Sequence, residues 1–160
     1  MLDMVCPSGN EEALQKRAKE LGFEGVILLY QQKNTIKARA TKPLTVGYAE
    51  RNFFEKKHDY IINSEDSPKR DNFHYKNTSL NHVHAELCRK NKITLAFGFS
   101  KLLTTSFERQ KILGRMIHNV RIARKYDVKT VVFSLAHHPS EMRSPETLEA
   151  LSRFLRTKFK

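Results

Sequence analysis

The stretch from Ser67 to His84 combines the residue types that contact nucleic acids. Its charged, aromatic and amide side chains are Lys69, Arg70, Phe73, His74, Tyr75, Lys76, Asn77 and Asn81. Cations, flat rings and amides in one segment suit a phosphate backbone with bases exposed beside it. A solvated strand-to-helix loop can have the same composition. Composition alone therefore leaves both interpretations open.

Hydrolytic chemistry has weaker support in the same residues. No Cys or Ser in the stretch occupies a nucleophile motif, and its histidines lack the carboxylates of a hydrolytic metal site. His82 and His84 begin a predicted helix, where side chains two positions apart diverge and do not easily chelate one ion. The adjacent His137 and His138 are expected to point in different directions. We therefore predict no catalytic residue and no metal ligand.

Further candidate contacts lie in other loops that follow predicted strands. In parallel α/β folds the loops after the carboxyl ends of strands form the functional face, here 6–10, 63–78, 100–106 and 136–143. These loops add one hydroxyl and two cations to the set. The predicted RNA-binding residues are Lys69, Arg70, His74, Lys76, Asn77, Asn81, Ser100, Lys101 and Arg143.

The charge balance favours a polyanionic partner. Lys and Arg number 29 against 17 Asp and Glu, which gives a formal net charge of +12. The excess is concentrated in the second half, where thirteen Lys and Arg from Lys101 onward face five Asp and Glu. Such a balance favours nucleic acid over a merely basic protein.

The elements that must position these residues alternate between strands and helices. Apolar runs predict strands at 2–5, 25–29, 60–63, 93–99 and 129–136, and the segment 31–57 holds two weaker alternating candidates at 36–40 and 44–48. Helices are predicted after a cap at Ser8 or Asn10, over 79–91 and 107–126, and from Pro145. The short connections imply one α/β domain over 1–160 with a parallel sheet, either open or part of a barrel.

Two helices carry specific packing predictions. In helix 79–91 the inward residues are expected to be Leu80, Val83 and Leu87, with His84 packed at the boundary. In helix 107–126 an apolar stripe runs from Ile112 to Ala123. The face opposite that stripe is predicted to carry Arg109, Arg115, Arg121 and Arg124, as a solvated or a binding surface.

Cysteine content and hydropathy indicate the compartment. Cys6 and Cys88 form neither a disulfide framework nor a zinc motif, which favours a reducing cytosol. The amino terminus lacks the features of a signal peptide, and no stretch has the apolar length of a transmembrane helix. We expect a cytoplasmic protein without a membrane partner.

Four groups of residues together resemble one family. They are Lys69-Arg70-Asp71 with His74, Asn77 and Leu80-Asn81-His82; Ile93 to Ser100; Glu108-Arg109; and Arg143-Ser144-Pro145. In this order they resemble the TIM-barrel-like protein subunit of ribonuclease P, component three, of archaea and eukaryotes. The resemblance covers roughly residues 59 to 151, and the amino-terminal third shares only its strand-helix-strand pattern.

The resemblance implies a fold and a role. The family is similar in fold to metal-dependent phosphoesterases of the polymerase-and-histidinol-phosphatase type. Its barrel usually continues beyond the point where this chain stops at Lys160, so we expect a truncated or incompletely closed barrel. Ribonuclease P removes the 5′ leader of precursor tRNA. The resemblance implies that the catalytic centre is RNA with bound magnesium and that the protein itself holds no cofactor.

The resemblance also implies partners: ribonuclease P RNA, precursor tRNA and a small subunit of ferredoxin-like fold. An uncovered strand edge would in addition allow self-association.

Two other functions stay open at this point. A phosphoesterase of the related type would need a His and Asp cluster that begins with His-x-His at the end of the first strand. Here that strand reads Leu2-Asp3-Met4-Val5-Cys6. The other alternative is a basic α/β module that binds a protein or a phosphorylated metabolite.

Overall fold

The structure of the protein is a computed structural model that describes residues 1–32, 35–41, 43–67, 70–72 and 76–157. Its strands are β1 (Leu2–Val5), β2 (Gly25–Gln32), β3 (Thr35–Arg39), β4 (Val46–Tyr48), β5 (Tyr60–Ile62), β6 (Thr94–Gly98) and β7 (Thr130–Phe133). Its α-helices are α1 (Glu11–Glu20), α2 (Arg51–Phe54), α3 (His82–Asn91), α4 (Ser106–Lys125) and α5 (Pro145–Arg156). Short 3₁₀ turns lie at Ser100–Leu102 and Pro139–Glu141.

The strands form two sheets, in the orders β1-β2-β3 and β4-β5-β6-β7. All neighbouring pairs are parallel except β2 and β3, which run antiparallel with Leu29 opposite Ala38. The predicted parallel sheet is therefore confirmed for the other strands, and β3 departs from it. Only Lys33 and Asn34 separate β2 from β3 in the sequence. A gap of two residues can join antiparallel strands, whereas a parallel crossover needs a dozen or more.

Residues far apart in the sequence join the two sheets where β1 meets the segment directly after β7, a junction that we call the β1–β7 seam. The Leu135 amide donates to the Met4 carbonyl at 2.8 Å, and the Cys6 amide donates to the Ala136 carbonyl at 2.8 Å. The buried Asp3 carboxylate continues the seam by accepting from the Ser134 amide at 2.8 Å. On the other side, β3 and β4 belong to different sheets but pack against each other.

One inner core receives side chains from every strand. Its members include Met4, Ile27, Ile36, Val46, Ile62, Ala96 and Phe133. The helices cover the outer side of the strands: α1, α4 and α5 contribute to one outer cluster, and α2 and α3 to another with part of α4. The predicted alternation of strands and helices is thus confirmed as an α/β fold with parallel strands inside and helices outside.

Three helices end by the same backbone device. A residue in the left-handed conformation follows α1, α3 and α4: Gly22 (φ 88°), Lys92 (φ 57°) and Asp127 (φ 54°). The next amide then donates to the carbonyl five residues back, from Phe23 to Ala18 (3.0 Å), Ile93 to Cys88 (2.8 Å) and Val128 to Ala123 (2.8 Å). This closure satisfies carbonyls at the helix end and leads the chain toward the following strand.

Helix α3 differs from its predicted packing. Asn81 caps it, with the side-chain oxygen accepting from the His84 amide at 2.9 Å, so the helix begins at His82 rather than Ser79. With that start, Ala85 and Cys88 face the core, while Val83 is 48% exposed and not inward as predicted.

The predicted boundary position of His84 is confirmed. The half-buried ring stacks on Phe54 with centroids 4.3 Å apart.

Candidate nucleic-acid interface

The loop that follows β5 is held by buried polar contacts with α4. Asn63 adopts a left-handed conformation (φ 63°), after which Ser64 and Glu65 are buried. The side-chain amide of the buried Asn119 donates to the Ser64 hydroxyl at 3.1 Å. A buried polar group is costly unless it is hydrogen-bonded, so this contact fixes where the loop starts on the helix.

Arg115 is the main anchor of this loop. Its guanidinium donates to the Asp71 carboxylate at 3.0 Å and to the carbonyls of Glu65 (3.3 Å) and Ser67 (3.1 Å). Arg115 is only 3% exposed, so the prediction that it lies on the face opposite the apolar stripe is wrong. The spacing of Arg115 and Asn119 was the available signal, because polar residues one turn apart beside an apolar stripe share a helix flank.

Asp71 connects this anchor to the exposed part of the loop. Besides the bond from Arg115, the Asp71 carboxylate accepts one from the backbone amide of Asn77 at 2.9 Å. It also lies 3.6 Å from the Lys76 ammonium. Burial alone would raise the pKa of Asp71, but the bonds from Asn77 and Arg115 outweigh it and hold that pKa below its usual value. The Asn77 side chain in turn donates to the Arg70 carbonyl. We call the described residues 63–67, 70–72 and 76–78 the braced loop, and Arg70 and Lys76 belong to it.

The braced loop and the first turns of α4 line one cleft. Its walls are Arg70, Asp71, Lys76, Phe107, Gln110 and Lys111. Residues 107, 110, 111 and 114 share one face of α4 by helical spacing. Gly114 on that face lies next to the Lys76 side chain, and an added Cβ would meet it in ordinary van der Waals contact at 3.6 Å.

The sequence prediction missed Phe107, Gln110 and Lys111. The Phe107 ring is 74% exposed beside the cations of the cleft. An aromatic residue off the apolar stripe of a basic helix was the signal that could have found it.

Lys101 and Ser100 lie at the centre of the same end of the fold. The Lys101 ammonium contacts Asp66 and lies 3.7 Å from the buried Glu65 carboxylate. Burial raises the pKa of Glu65 to about 7, although the Lys101 charge opposes that rise. The Ser100 hydroxyl donates to the Leu135 carbonyl at 2.9 Å. Both predicted RNA contacts are thus engaged within the protein.

Arg143 is likewise engaged by its neighbours. Its guanidinium donates to the carbonyls of Ser140 and Met142, both at 2.8 Å, and lies 5.4 Å from the centre of the Phe99 ring. The remaining predicted contacts divide into two groups. Asn81 serves as the cap of α3. Lys69 and His74, with the neighbouring rings Phe73 and Tyr75, lie outside the described residues.

The predicted convergence of loops at the carboxyl ends of the strands is confirmed. A shallow cleft there is lined by residues from all four predicted loops, by Gln31 of β2 and by Leu135: the loop residues are Cys6, Asn63, Ser100, Lys101, His137 and Glu141. Burial raises the pKa of the Cys6 thiol to about 11, so the thiolate is disfavoured at neutral pH. We call this end of the molecule, including the braced loop, the loop face.

Among the described residues, no group of three or more His, Cys, Asp and Glu is placed to hold a metal ion. Within the same residues, no helix is both long enough and apolar enough to cross a bilayer.

Comparison with known proteins shows similarity both in sequence and in fold. No protein-family model matches the chain. Over 70 residues it is 31% identical to ribonuclease P protein component 3 of Methanococcus maripaludis (strain C5 / ATCC BAA-1333). That alignment spans 43% of this chain and 30% of the relative, so it covers less than a third of the relative's length.

The fold is similar to a protein chain in the cryo-EM structure of archaeal ribonuclease P with mature tRNA. The TM-score is 0.63 at 19% identity, over 97% of this chain and 82% of that chain. The resemblance carried by the motifs is therefore confirmed: the chain is similar in sequence to ribonuclease P protein component 3 and similar in fold to a protein of archaeal ribonuclease P.

Proposed function

We propose that the chain is a protein subunit of ribonuclease P and binds RNA through its loop face, as part of the machinery that removes the 5′ leader of precursor tRNA. The observation that carries this role is the braced loop. Arg70 and Lys76 are held beside Lys111 and the exposed Phe107 ring in one cleft. Cations for phosphates next to a ring for an unpaired base are the groups that single-stranded RNA needs.

The barrel is part of the same proposal. Hydrogen bonds across the β1–β7 seam and an inner core shared by all seven strands support a barrel-like arrangement. The division into two sheets between β3 and β4 supports incomplete closure there. An incompletely closed edge suits a protein partner, and we propose the small ferredoxin-like subunit as that partner, with self-association in its absence.

The chemistry of cleavage is assigned to the RNA. We propose that magnesium bound to ribonuclease P RNA supplies the catalytic centre and that this chain contributes no nucleophile or base. Asp3 supports this assignment against the related phosphoesterases. It lies on the first strand, but its carboxylate is buried and bonded to the amides of Met4 and Ser134. A cytoplasmic location fits the two cysteines, both of which are free thiols.

Incubation of the purified chain with precursor tRNA and magnesium tests this assignment. We expect no cleavage. Cleavage that persists after further purification and disappears in Asp71→Asn or in a His74 variant would show a protein active site instead.

A salt titration tests the RNA-binding role. The variant Arg70→Gln, Lys76→Gln, Lys111→Gln removes three charges from the cleft. If each contacts a phosphate, the slope of log affinity against log salt falls by roughly 0.7 per contact with single-stranded RNA. The control Lys16→Gln, Lys19→Gln, Lys37→Gln removes three exposed charges from α1 and β3. Equal slopes for the two variants would contradict the loop-face assignment.

A further inference from the structure

A second basic surface lies at the end of the molecule away from the loop face. Two neighbouring clefts there share Asp127, Val128 and Lys129. Their basic lining residues are Arg89, Lys92, Arg124, Lys129 and Arg156, and Asp127 is the acidic one. We call these six residues the opposite face. It lies where α3, α4 and α5 end and β6 and β7 begin.

The helix closures described above build this surface. Lys92 and Asp127 are the left-handed residues that end α3 and α4, and each accommodates a turn directly into a buried strand. Arg89 and Arg124 occupy equivalent positions, because each carbonyl accepts from the left-handed residue three positions later. The shared geometry places corresponding charges of two helices at the same end of the fold.

Two of the cations are held by neutral groups. Arg124 donates to the Arg156 carbonyl, and Arg156 donates to the Thr130 carbonyl at 2.6 Å. A guanidinium has five N–H donors, so one bond to a carbonyl fixes the side chain and leaves donors and full charge for another ligand. Within the described part of the chain, the ion pairs found involve none of the five cations.

The charge of the opposite face exceeds what the helix ends can offset. Each helix carries roughly half a negative charge at its carboxyl end. The negative charge of three helix ends and Asp127 together is smaller than the positive charge of the five cations. Fixed guanidinium groups in positive surroundings fit the phosphates of a nucleic-acid backbone, which Arg binds through two parallel hydrogen bonds.

We infer that the opposite face is a second RNA-binding surface, which contacts the backbone without reading bases. The ligand class rests on the proposed function, but the surface is separate from the loop face. Arg89, Lys92, Arg124, Lys129 and Arg156 contact phosphates of a different RNA segment from the one at the loop face. The protein thereby holds two segments of one folded RNA at a fixed separation.

The first test removes charge from this face alone. The variant Arg89→Gln, Lys92→Gln, Lys129→Gln changes three exposed side chains. With a short RNA duplex as probe, we expect its salt slope to fall by roughly 0.9 for each lost contact, the figure for double-stranded DNA. The three-lysine control on α1 and β3 should keep the wild-type slope. An opposite-face variant that matches this control would overturn the inference, and an acidic protein that still binds wild type but not the variant would then be the ligand class.

Failure of the two proposals can be told apart. A wild-type chain that binds no RNA overturns the proposed function and this inference together. If the loop-face variant weakens binding and the opposite-face variant does not, only this inference fails.

A tethered cleavage reagent tests whether two segments are held. An iron chelate is attached to Lys111→Cys in one preparation and to Lys129→Cys in another, each bound to an archaeal ribonuclease P RNA transcript. Burial raises the pKa of the native thiols to about 11 for Cys6 and about 12 for Cys88, so labelling favours the introduced cysteine. We expect cuts in two different RNA segments. Cuts in one common segment, or none from position 129, would overturn the bridging arrangement.

Discussion

The loop face and the opposite face are both rich in cations, but of the two, among the described residues, only the loop face holds cations in ion pairs with carboxylates. At the loop face, Lys101 and Arg115 contact the carboxylates of Glu65, Asp66 and Asp71. At the opposite face, Arg124 and Arg156 are held by backbone carbonyls. A carboxylate removes the net charge of its partner, whereas a carbonyl only orients it.

The difference shows that the position of a basic residue in the sequence does not reveal its task. Several loop-face cations brace the protein, and the exposed Arg70 and Lys76 benefit from that bracing. The opposite face needs no buried ion pair for its shape, because helix closure by backbone hydrogen bonds sets it. Stability and binding should therefore be coupled at the loop face and separable at the opposite face.

The largest expected effect comes from removing the Arg115 guanidinium, which holds the braced loop on α4. Arg115→Met removes the hydrogen bonds that Arg115 donates to the Asp71 carboxylate and to the carbonyls of Glu65 and Ser67. Each hydrogen bond lost to a charged group or to a buried carbonyl costs roughly 1 to 3 kcal/mol, so we expect the three together to lower the free energy of unfolding by about 3 kcal/mol or more. Urea denaturation measures it. The control Arg121→Met, at an exposed position of the same helix, should change stability by less than about 0.5 kcal/mol. Equal losses would show that Arg115 is not a brace.

An intermediate effect should appear in the pH dependence of stability. Burial raises the pKa of Glu65 from 4.5 to about 7. Between these values the unfolded chain releases the proton and the folded chain keeps it, so stability falls as pH rises through this window. The raised pKa of Asp3, about 6, acts in the same direction.

Glu65→Gln removes the contribution of Glu65 and should flatten that fall, by up to roughly 3 kcal/mol at one pKa unit per 1.36 kcal/mol. Unfolding free energies at pH 4.5 and pH 7.5 give the difference. The exposed Glu149→Gln should follow the wild-type profile. If the stability of Glu65→Gln depended on pH as wild type does, Glu65 would not keep its proton in the folded chain.

The smallest expected effects test whether stability and RNA binding can be changed separately at the opposite face. Lys92→Gly and Asp127→Gly both relieve a left-handed residue that has a side chain, and each should add about 0.5 to 1 kcal/mol of stability. Their effects on RNA binding should differ in sign, because the first removes a cation and the second an anion. Thermal unfolding and binding at low salt provide both measurements. If both substitutions shift affinity in the same direction, charge at this face does not decide binding.

Much of the architecture was predictable from local patterns. The strand at Leu2–Val5, the helix start at Ser144 and Pro145, and the stop at Gly22 follow from apolar runs, caps and left-handed glycine. The antiparallel β3 was missed, although the two-residue gap before it was visible in the sequence. Val83 was misplaced because the cap at Asn81 sets the phase of α3, and several polar residues before that helix could have served as its start.

The candidate site was predictable only in part. The loop and its exposed cations could be found from residue types, because their composition is local. Arg115 and Phe107 could not be assigned without the fold, since both lie on α4, more than thirty residues after Asp71. Whether an arginine braces or binds depends on the carboxylate that packing brings to it. The opposite face was missed for the same reason, because three separate helix ends create it.

The β1–β7 seam can form only after most of the chain has been synthesised. In this seam Met4 accepts a hydrogen bond from Leu135, and Cys6 donates one to Ala136. One edge of the first strand therefore stays unpaired until some 130 residues have been made. Contacts between such distant residues form late and slow folding, because a long loop must close first. An unpaired strand edge during that interval is a site for misassembly. Rapid capture of the nascent chain by a chaperone or a partner would shorten the exposure.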